Sequence, residues 1–184
     1  MGRPWEGLLE EVARRRWQRL VAYATLVSGS YSGAEDLVQE ALVGVFAGRA
    51  RFTTPEQAEA YLRRTIASRA VDASRRRARE HRLAARLAGC TPMTTTDVDT
   101  LPGADVVRAL GALGPRERAC VVLRQMEDMS VAETAAVLGL SEGAVKRYTS
   151  DAVRRLADLL DADPGRLGDE TTTVETTSTE VRRA

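Results

Sequence analysis

The chain has 184 residues, 27 basic and 26 acidic side chains and a formal net charge of +1, which suits one domain of typical size or two small ones. Two cysteines, Cys90 and Cys120, with His81 as the sole histidine, argue against a disulfide framework or a structural zinc site. No apolar run approaches the roughly 20 residues that span a bilayer, and Trp5, Glu6 and Glu10 near the start are unlike a secretory leader, so a cytoplasmic protein without membrane insertion is expected.

Aromatic residues are scarce, no strand-like alternation occurs, and capping signals recur, which predicts an all-α fold. The first helix is predicted from about Trp5 to Val27, with Trp5, Leu8, Leu9, Val12, Leu20, Ala24 and Val27 on one face. Ser28, Gly29 and Ser30 end it. Ser32 and Glu35 read as a capping box for a second helix whose apolar side is Leu37, Ala41, Leu42, Val45 and Phe46. Asp36, Gln39, Glu40 and Val43 share another face of that helix, and Gly48 closes it. Thr54, Pro55 and Gln57 announce a third helix with Ala58, Tyr61, Leu62, Thr65, Ile66, Ala70 and Ala73 inward. From Arg75 its apolar stripe fades into RRRAREHR, a solvated or ligand-covered end. Nine arginines against Asp72 and Glu80 between Tyr61 and Leu87 make this the electrostatic footprint of a nucleic-acid contact.

Residues Ala88 to Gly103 are rich in threonine, glycine, proline and aspartate and carry no basic group, which is linker chemistry. Val106, Val107, Leu110 and Leu113 then mark a short helix, and Pro115 starts another with Ala119, Val122, Leu123 and Met126 inward. SVAETAAVLGLSEGAV, Ser130 to Val145, has the pattern of a DNA-reading helix-turn-helix. Ser130 and Glu133 form a capping box, Gly139 supplies a left-handed turn, and Ser141 caps the second helix. Ala135 is small at the helix crossing, and Leu138, Leu140 and Val145 are apolar toward a shared core. The second helix continues through Ala152, Val153, Leu156 and Leu160, and the polar text after Pro164 reads as a disordered tail.

Three segments in order, AEDLVQEAL at Ala34 to Leu42, YLRRTIASRAVDASRRR at Tyr61 to Arg77, and LGPRERACVVLRQMEDMSVAETAAVLGLSEGAVK at Leu113 to Lys146, carry a family likeness. The chain resembles the extracytoplasmic-function sigma factors of the sigma-70 family, particularly their actinobacterial SigE-like group, over roughly residues 5 to 160. The resemblance implies sigma region 2 over 1–87, a linker over 88–104, sigma region 4 over 105–161 and a disordered tail over 162–184. It implies a non-enzymatic protein, with no cofactor, metal or catalytic residue, that binds core RNA polymerase and directs it to promoter DNA. The helix with Asp36, Leu37, Gln39, Glu40 and Val43 would meet the β′ clamp helices, and region 4 the β flap. An anti-sigma factor joins the expected partners because family members are often held inactive by one.

For the minus-10 element the expected contacts are Phe52, Ser68, Arg69, Asp72, Arg75, Arg76 and Arg77, since arginine can neutralise phosphates and stack on exposed bases. Ser68 stands where the family commonly has asparagine, and Asp72, Ala73 and Ser74 precede the basic run where its members often carry tryptophan. For the minus-35 element, Ser141, Glu142, Gly143, Lys146, Arg147 and Ser150 are expected on the exposed side of the recognition helix, with Arg116, Arg118 and Arg124 clamping flanking phosphates. Tyr148 and Asp151 depart from the family pattern of smaller or basic residues. A stand-alone regulator is the competing reading, which leaves the acidic AEDLVQEAL helix unused. A recombinase or nuclease fares worse, for want of a carboxylate cluster or a nucleophile with a base.

Overall fold

The computed structural model describes residues 4–48, 50–88 and 103–161. Most of the expected linker and the whole expected tail lie outside them, as does Cys90. Every regular element among the described residues is an α-helix: α1 Pro4–Ser28, α2 Ala34–Ala47, α3 Pro55–Ala88, α4 Ala104–Gly111, α5 Pro115–Gln125, α6 Val131–Leu138 and α7 Glu142–Asp161. No helix there is long and apolar enough to cross a membrane, and no group of residues there could hold a metal ion.

Helices α1, α2 and α3 pack as a three-helix bundle around Leu9, Leu20, Val27, Val38, Leu62 and Ile66, all fully buried. An aromatic file closes one end. Trp5 lies 6.2 Å from Phe46 and meets Phe52 edge-on at 5.9 Å, and Phe52 lies 5.3 Å from Tyr61, spacings at which aromatic rings attract beyond their burial.

The first turns of the helices correct two capping expectations. Ser32 does not cap α2; the helix starts after Gly33, at φ 76 in the left-handed region, with no side-chain cap. At α3 the Gln57 amide donates to Thr54 Oγ1 at 3.3 Å, but the Gln57 side-chain oxygen takes the amide and hydroxyl of Thr53 instead of closing a box with Thr54. Thr65 is only half-buried and Tyr61 exposed, so the α3 core stripe is Ala58, Leu62, Ile66, Ala67, Ala70 and Val71.

Helices α4 to α7 build the second bundle around Leu123, Val122, Leu138, Val145 and Ala152. Here the local chemistry is as expected. Ser130 Oγ accepts the Glu133 amide at 3.2 Å while Glu133 Oε2 accepts the Ser130 amide at 2.8 Å. Gly139 turns the chain at φ 60, and Ser141 Oγ accepts the Ala144 amide at 3.2 Å. Met126 is expected inward but is 51% exposed, and Val106 and Val153 are 45% and 46% exposed, so the inner faces of α4, α5 and α7 are narrower than the apolar spacing suggests. Glu117 ties the bundle together, accepting from the Gly114 amide at 2.9 Å and from Arg155 at 3.0 Å.

The two bundles are in contact. Helix α5 packs against α3 and α1, α4 against α1, and α6 against α3, so the buried residues of both halves form one continuous cluster.

Candidate nucleic-acid interface

Helix α2 turns Leu37, Val38, Ala41 and Val45 into the first bundle and leaves Asp36, Gln39, Glu40 and Val43 in solvent. Leu37, at 7% exposure, is a core residue rather than a contact, because its spacing with Ala41 and Ala34 places it on the inner stripe. Val43 is 68% exposed. It sits among acceptors and an amide, beside a shallow cleft of about 500 Å³ that also takes in Asp36, Gln39, Glu40 and Arg69.

A second cleft, of about 740 Å³, runs along α3 and is lined by Tyr61, Arg64, Thr65, Ser68, Asp72 and Arg76, with Arg69, Arg79 and Glu40 at its margins and Val137 of α6 on the far wall. Ser68, Asp72 and Arg76 recur every four residues, so one helix face brings them together. Phe52 does not join them at the surface. It is 7% exposed, clamped between Trp5 and Tyr61, and supports the cleft from behind. Tyr61 and Arg64 take the exposed places. Sequence reasoning put Tyr61 in the core because it falls near the apolar stripe; its place at the edge of that stripe, in a helix otherwise full of arginine, was the available signal.

The arginine run divides. With successive side chains about 100° apart on a helix, Arg76 faces the 740 Å³ cleft. Arg75 faces a separate hollow of about 370 Å³ shared with Pro115 and Arg116, and pairs with Asp72 at 3.5 Å. Arg77 is exposed, and its charge disfavours the charged form of Arg118. Arg69, at the margin of the cleft, reaches over α2, with its guanidinium against Gly44 and 4.0 Å from Glu40.

In the second bundle Glu142, Gly143, Lys146, Arg147 and Ser150 are exposed along the start and outer side of α7, and Ser141 is exposed while capping it. Arg116, on α5, donates to the Tyr148 hydroxyl at 3.5 Å, and Arg147 lies over the Tyr148 ring at 5.2 Å. These two cations, led by Arg116, lower the pKa of the phenol. Tyr148 therefore gathers Arg116 and Arg147 into one basic patch next to Lys146. Asp151 is engaged by Arg154 at 2.6 Å.

Two of the expected phosphate clamps are structural. Arg118 is 8% exposed: its Nε donates to Leu110 O at 2.7 Å, and its Nη2 donates to Leu113 O at 2.9 Å and Gly111 O at 3.3 Å. These are carbonyls at the end of α4 and just past it, where Leu110 O also takes the Leu113 amide at 3.1 Å, and a guanidinium fork suits them. Burial, then Arg77, disfavours its charge. Arg124 spends its guanidinium on the Met129 carbonyl, fixing the turn into α6. Cys120 is buried, and burial pushes its thiol up to about 11, so it is an inert core residue.

Residues 12–80 match the family model Sigma-70 region 2, and residues 104–156 match Sigma-70, region 4. The chain is 34% identical over 156 residues to an RNA polymerase sigma-E factor of Streptomyces avermitilis, covering 83% of this chain and 85% of that one. It is 32% identical over 151 residues to the ECF RNA polymerase sigma factor SigM of Mycobacterium tuberculosis, covering 82% and 76%. Among solved structures it resembles the sigma factor RpoE of Bartonella quintana, crystallised with the anti-sigma factor NepR, with a TM-score of 0.58 at 24% identity over 84% of this chain and 97% of that one. At that identity the likeness concerns the fold.

Proposed function

Because the chain belongs to the extracytoplasmic-function group of the sigma-70 family, we propose that it divides its work among three surfaces: α2 grips core RNA polymerase, the α3 cleft holds the minus-10 element, and the start of α7 reads the minus-35 element. Region 2 then comprises 1–87, region 4 comprises 105–161, and 88–104 is the tether that lets them take separate positions, with 162–184 a tail. The protein performs no chemistry itself; it supplies recognition to the polymerase, in the cytoplasm where that enzyme works.

The observation that carries this reading is the α2 face. A stand-alone DNA reader has no use for a helix that buries Leu37, Val38 and Ala41 yet leaves Asp36, Gln39, Glu40 and a 68%-exposed Val43 in water. Acceptors around an apolar centre suit a basic partner helix, here the β′ clamp helices. In the α3 cleft Tyr61 offers a ring for stacking an unpaired base, Ser68 a hydroxyl for its edge, and Arg64 and Arg76 charge for the strand. On α7, Lys146 and Arg147 reach guanine acceptors or phosphates, the Ser141 turn presents backbone amides, and Arg116 extends the patch along the backbone. Region 4 also meets the β flap, and an anti-sigma factor is a further partner, as NepR is for the Bartonella protein.

Run-off transcription with sigma-free core polymerase and genomic fragments tests this directly. Initiation from defined start sites is expected on adding the protein. DNA binding without polymerase association would establish the regulator instead.

A further inference from the structure

Most arginines of region 4 are already engaged within the protein. Arg118 and Arg124 are spent on carbonyls. On α7, Asp151 holds Arg154 at 2.6 Å and Glu117 holds Arg155 at 3.0 Å. Arg116 and Arg147 meet no carboxylate among the described residues; what they share is Tyr148. Arg116, from the start of α5, donates through Nη1 to the phenol oxygen at 3.5 Å, and Arg147 lies 5.2 Å over the ring, within the distance at which an aromatic face attracts a cation.

Both helices are fixed in register at this point. Glu117, the neighbour of Arg116, accepts from the Gly114 amide at 2.9 Å and from Arg155 at 3.0 Å, so the first turn of α5 is tied to its own cap and to α7. Arg155 stands two turns beyond Tyr148 on the same side of α7. The Tyr148 ring packs against the hydrophobic cluster, while its hydroxyl reaches the surface beside Arg116. A phenol oxygen that accepts from a guanidinium still has its own proton to donate. Two cations therefore converge on one neutral group with no acid between them, and both lower the pKa of the phenol, the Arg116 hydrogen bond first. Such an arrangement is completed by an anion.

We propose that Tyr148 is the positioning residue of the minus-35 surface: its hydroxyl sets Arg116 and its ring sets Arg147, so that guanidiniums from two helices clasp one stretch of DNA phosphate backbone, with the phenol proton as a further donor to that strand. That the strand belongs to a minus-35 element rests on the function proposed above; the clasp itself does not. A long arginine side chain gives up rotamer freedom when it settles on a phosphate, and that loss counts against binding. Here part of it is taken on folding, because the phenol is already fixed by the core. Phosphate contacts also set the register of a reading helix, so the clasp holds Lys146 and Ser150, on the outer side of α7, over the base edges.

Two measurements on the free full chain decide it. In an alkaline absorbance titration of the four tyrosines, Tyr148 should supply the earliest step; Arg116→Ala should move that step to higher pH and Tyr148→Phe should remove it. The second is binding to a mixed-sequence duplex oligonucleotide, whose phosphates offer the same contact in any sequence. Tyr148→Phe should weaken binding by about threefold, and Tyr148→Leu, which keeps an apolar contact with the core but loses ring and hydroxyl, by about tenfold, as first one arginine and then both lose their ordering. Arg116→Ala should lower the salt dependence by about 0.9 in logarithmic slope, whereas Tyr148→Phe keeps every charge and should leave the slope unchanged. In the Arg116→Ala background Tyr148→Phe should add no further loss, because its effect passes through that arginine. Losses that multiply, a phenylalanine variant that binds as wild type does, or an ionisation step indifferent to Arg116 would overturn the clasp. A wild type that does not initiate with core polymerase refutes the sigma reading, and the two measurements on the free chain still decide the clasp.

Discussion

Arg118 and Arg76 carry the same side chain in opposite surroundings, and their substitutions separate stability from binding. Arg118 is buried with three hydrogen bonds to carbonyls of α4 and the turn after it. Truncation to alanine takes the guanidinium from all three, leaving Leu110 O with the Leu113 amide, and should cost about 2–4 kcal/mol, given the worth of charge-assisted bonds and the desolvation of the acceptors that lose their donor. Urea unfolding should report this as a lowered midpoint, with Arg118→Lys recovering only part of the loss because an ammonium cannot reproduce the fork. Arg76 stands exposed in the α3 cleft. Arg76→Ala should leave the unfolding midpoint within about 0.5 kcal/mol of wild type and lower the salt dependence of promoter-complex formation by about 0.9 in logarithmic slope for a duplex phosphate. An unchanged slope would remove Arg76 from the contact. Sequence spacing placed both arginines on DNA. It could not tell them apart, because Arg118 is consumed by the chain reversal between α4 and α5, which brings its acceptors within reach.

At the scale of elements, the helix-turn-helix is held by chemistry confined to a few neighbouring residues. The Ser130 and Glu133 reciprocal bonds, the left-handed Gly139 and the Ser141 cap all lie within one turn of the groups they serve, and they are legible in the sequence for that reason. Ser130→Ala should cost region 4 about 1 kcal/mol in denaturant unfolding. The Glu133 carboxyl is held below its usual value of 4.5, first by the Ser130 backbone amide and then by the Ser130 side chain. A depressed folded pKa means its contribution is complete above the unfolded value and is lost as pH falls through the folded one. Region 4 should therefore lose stability below about pH 4.5 more steeply in wild type than in Glu133→Gln, which keeps the acceptor and cannot titrate; parallel curves would show that the box does not contribute. What the spacing did not disclose was which flank of each stripe is covered. Tyr61, Val106, Met126 and Val153 all lie at the margin of an apolar face and are exposed, since the partner that sets the width of that face comes from distant sequence. The α2 start differs for a local reason: Ser32 and Glu35 have the right spacing for a box, but Gly33 in the left-handed region supplies the entry.

On the scale of the whole molecule, the α2 face is the surface whose loss should abolish function without touching the fold. It lies on a helix that packs against α1 and α3, and among its expected contacts only Leu37 belongs to the core. Glu40 lies at the boundary of two clefts, with Arg69 4.0 Å away and reaching over Gly44, so the proposed polymerase and promoter surfaces adjoin there. Reversing both exposed charges, Asp36→Arg with Glu40→Arg, replaces acceptors by donors against a basic partner helix, and like charges facing each other across an interface cost several kcal/mol. The double variant should lose association with core polymerase by about 100-fold or more, as about 3 kcal/mol implies. Its circular dichroism and thermal midpoint should match wild type, because exposed positions away from packed features shift stability by about 0.5 kcal/mol or less. Binding of region 4 to a double-stranded oligonucleotide should also persist, since its α7 patch is built by Arg116, Tyr148 and Arg147. Co-elution with core polymerase and run-off initiation measure the outcome. Retained initiation by a well-folded double variant would move the polymerase contact off α2 and return the chain to the class of regulators that read DNA alone.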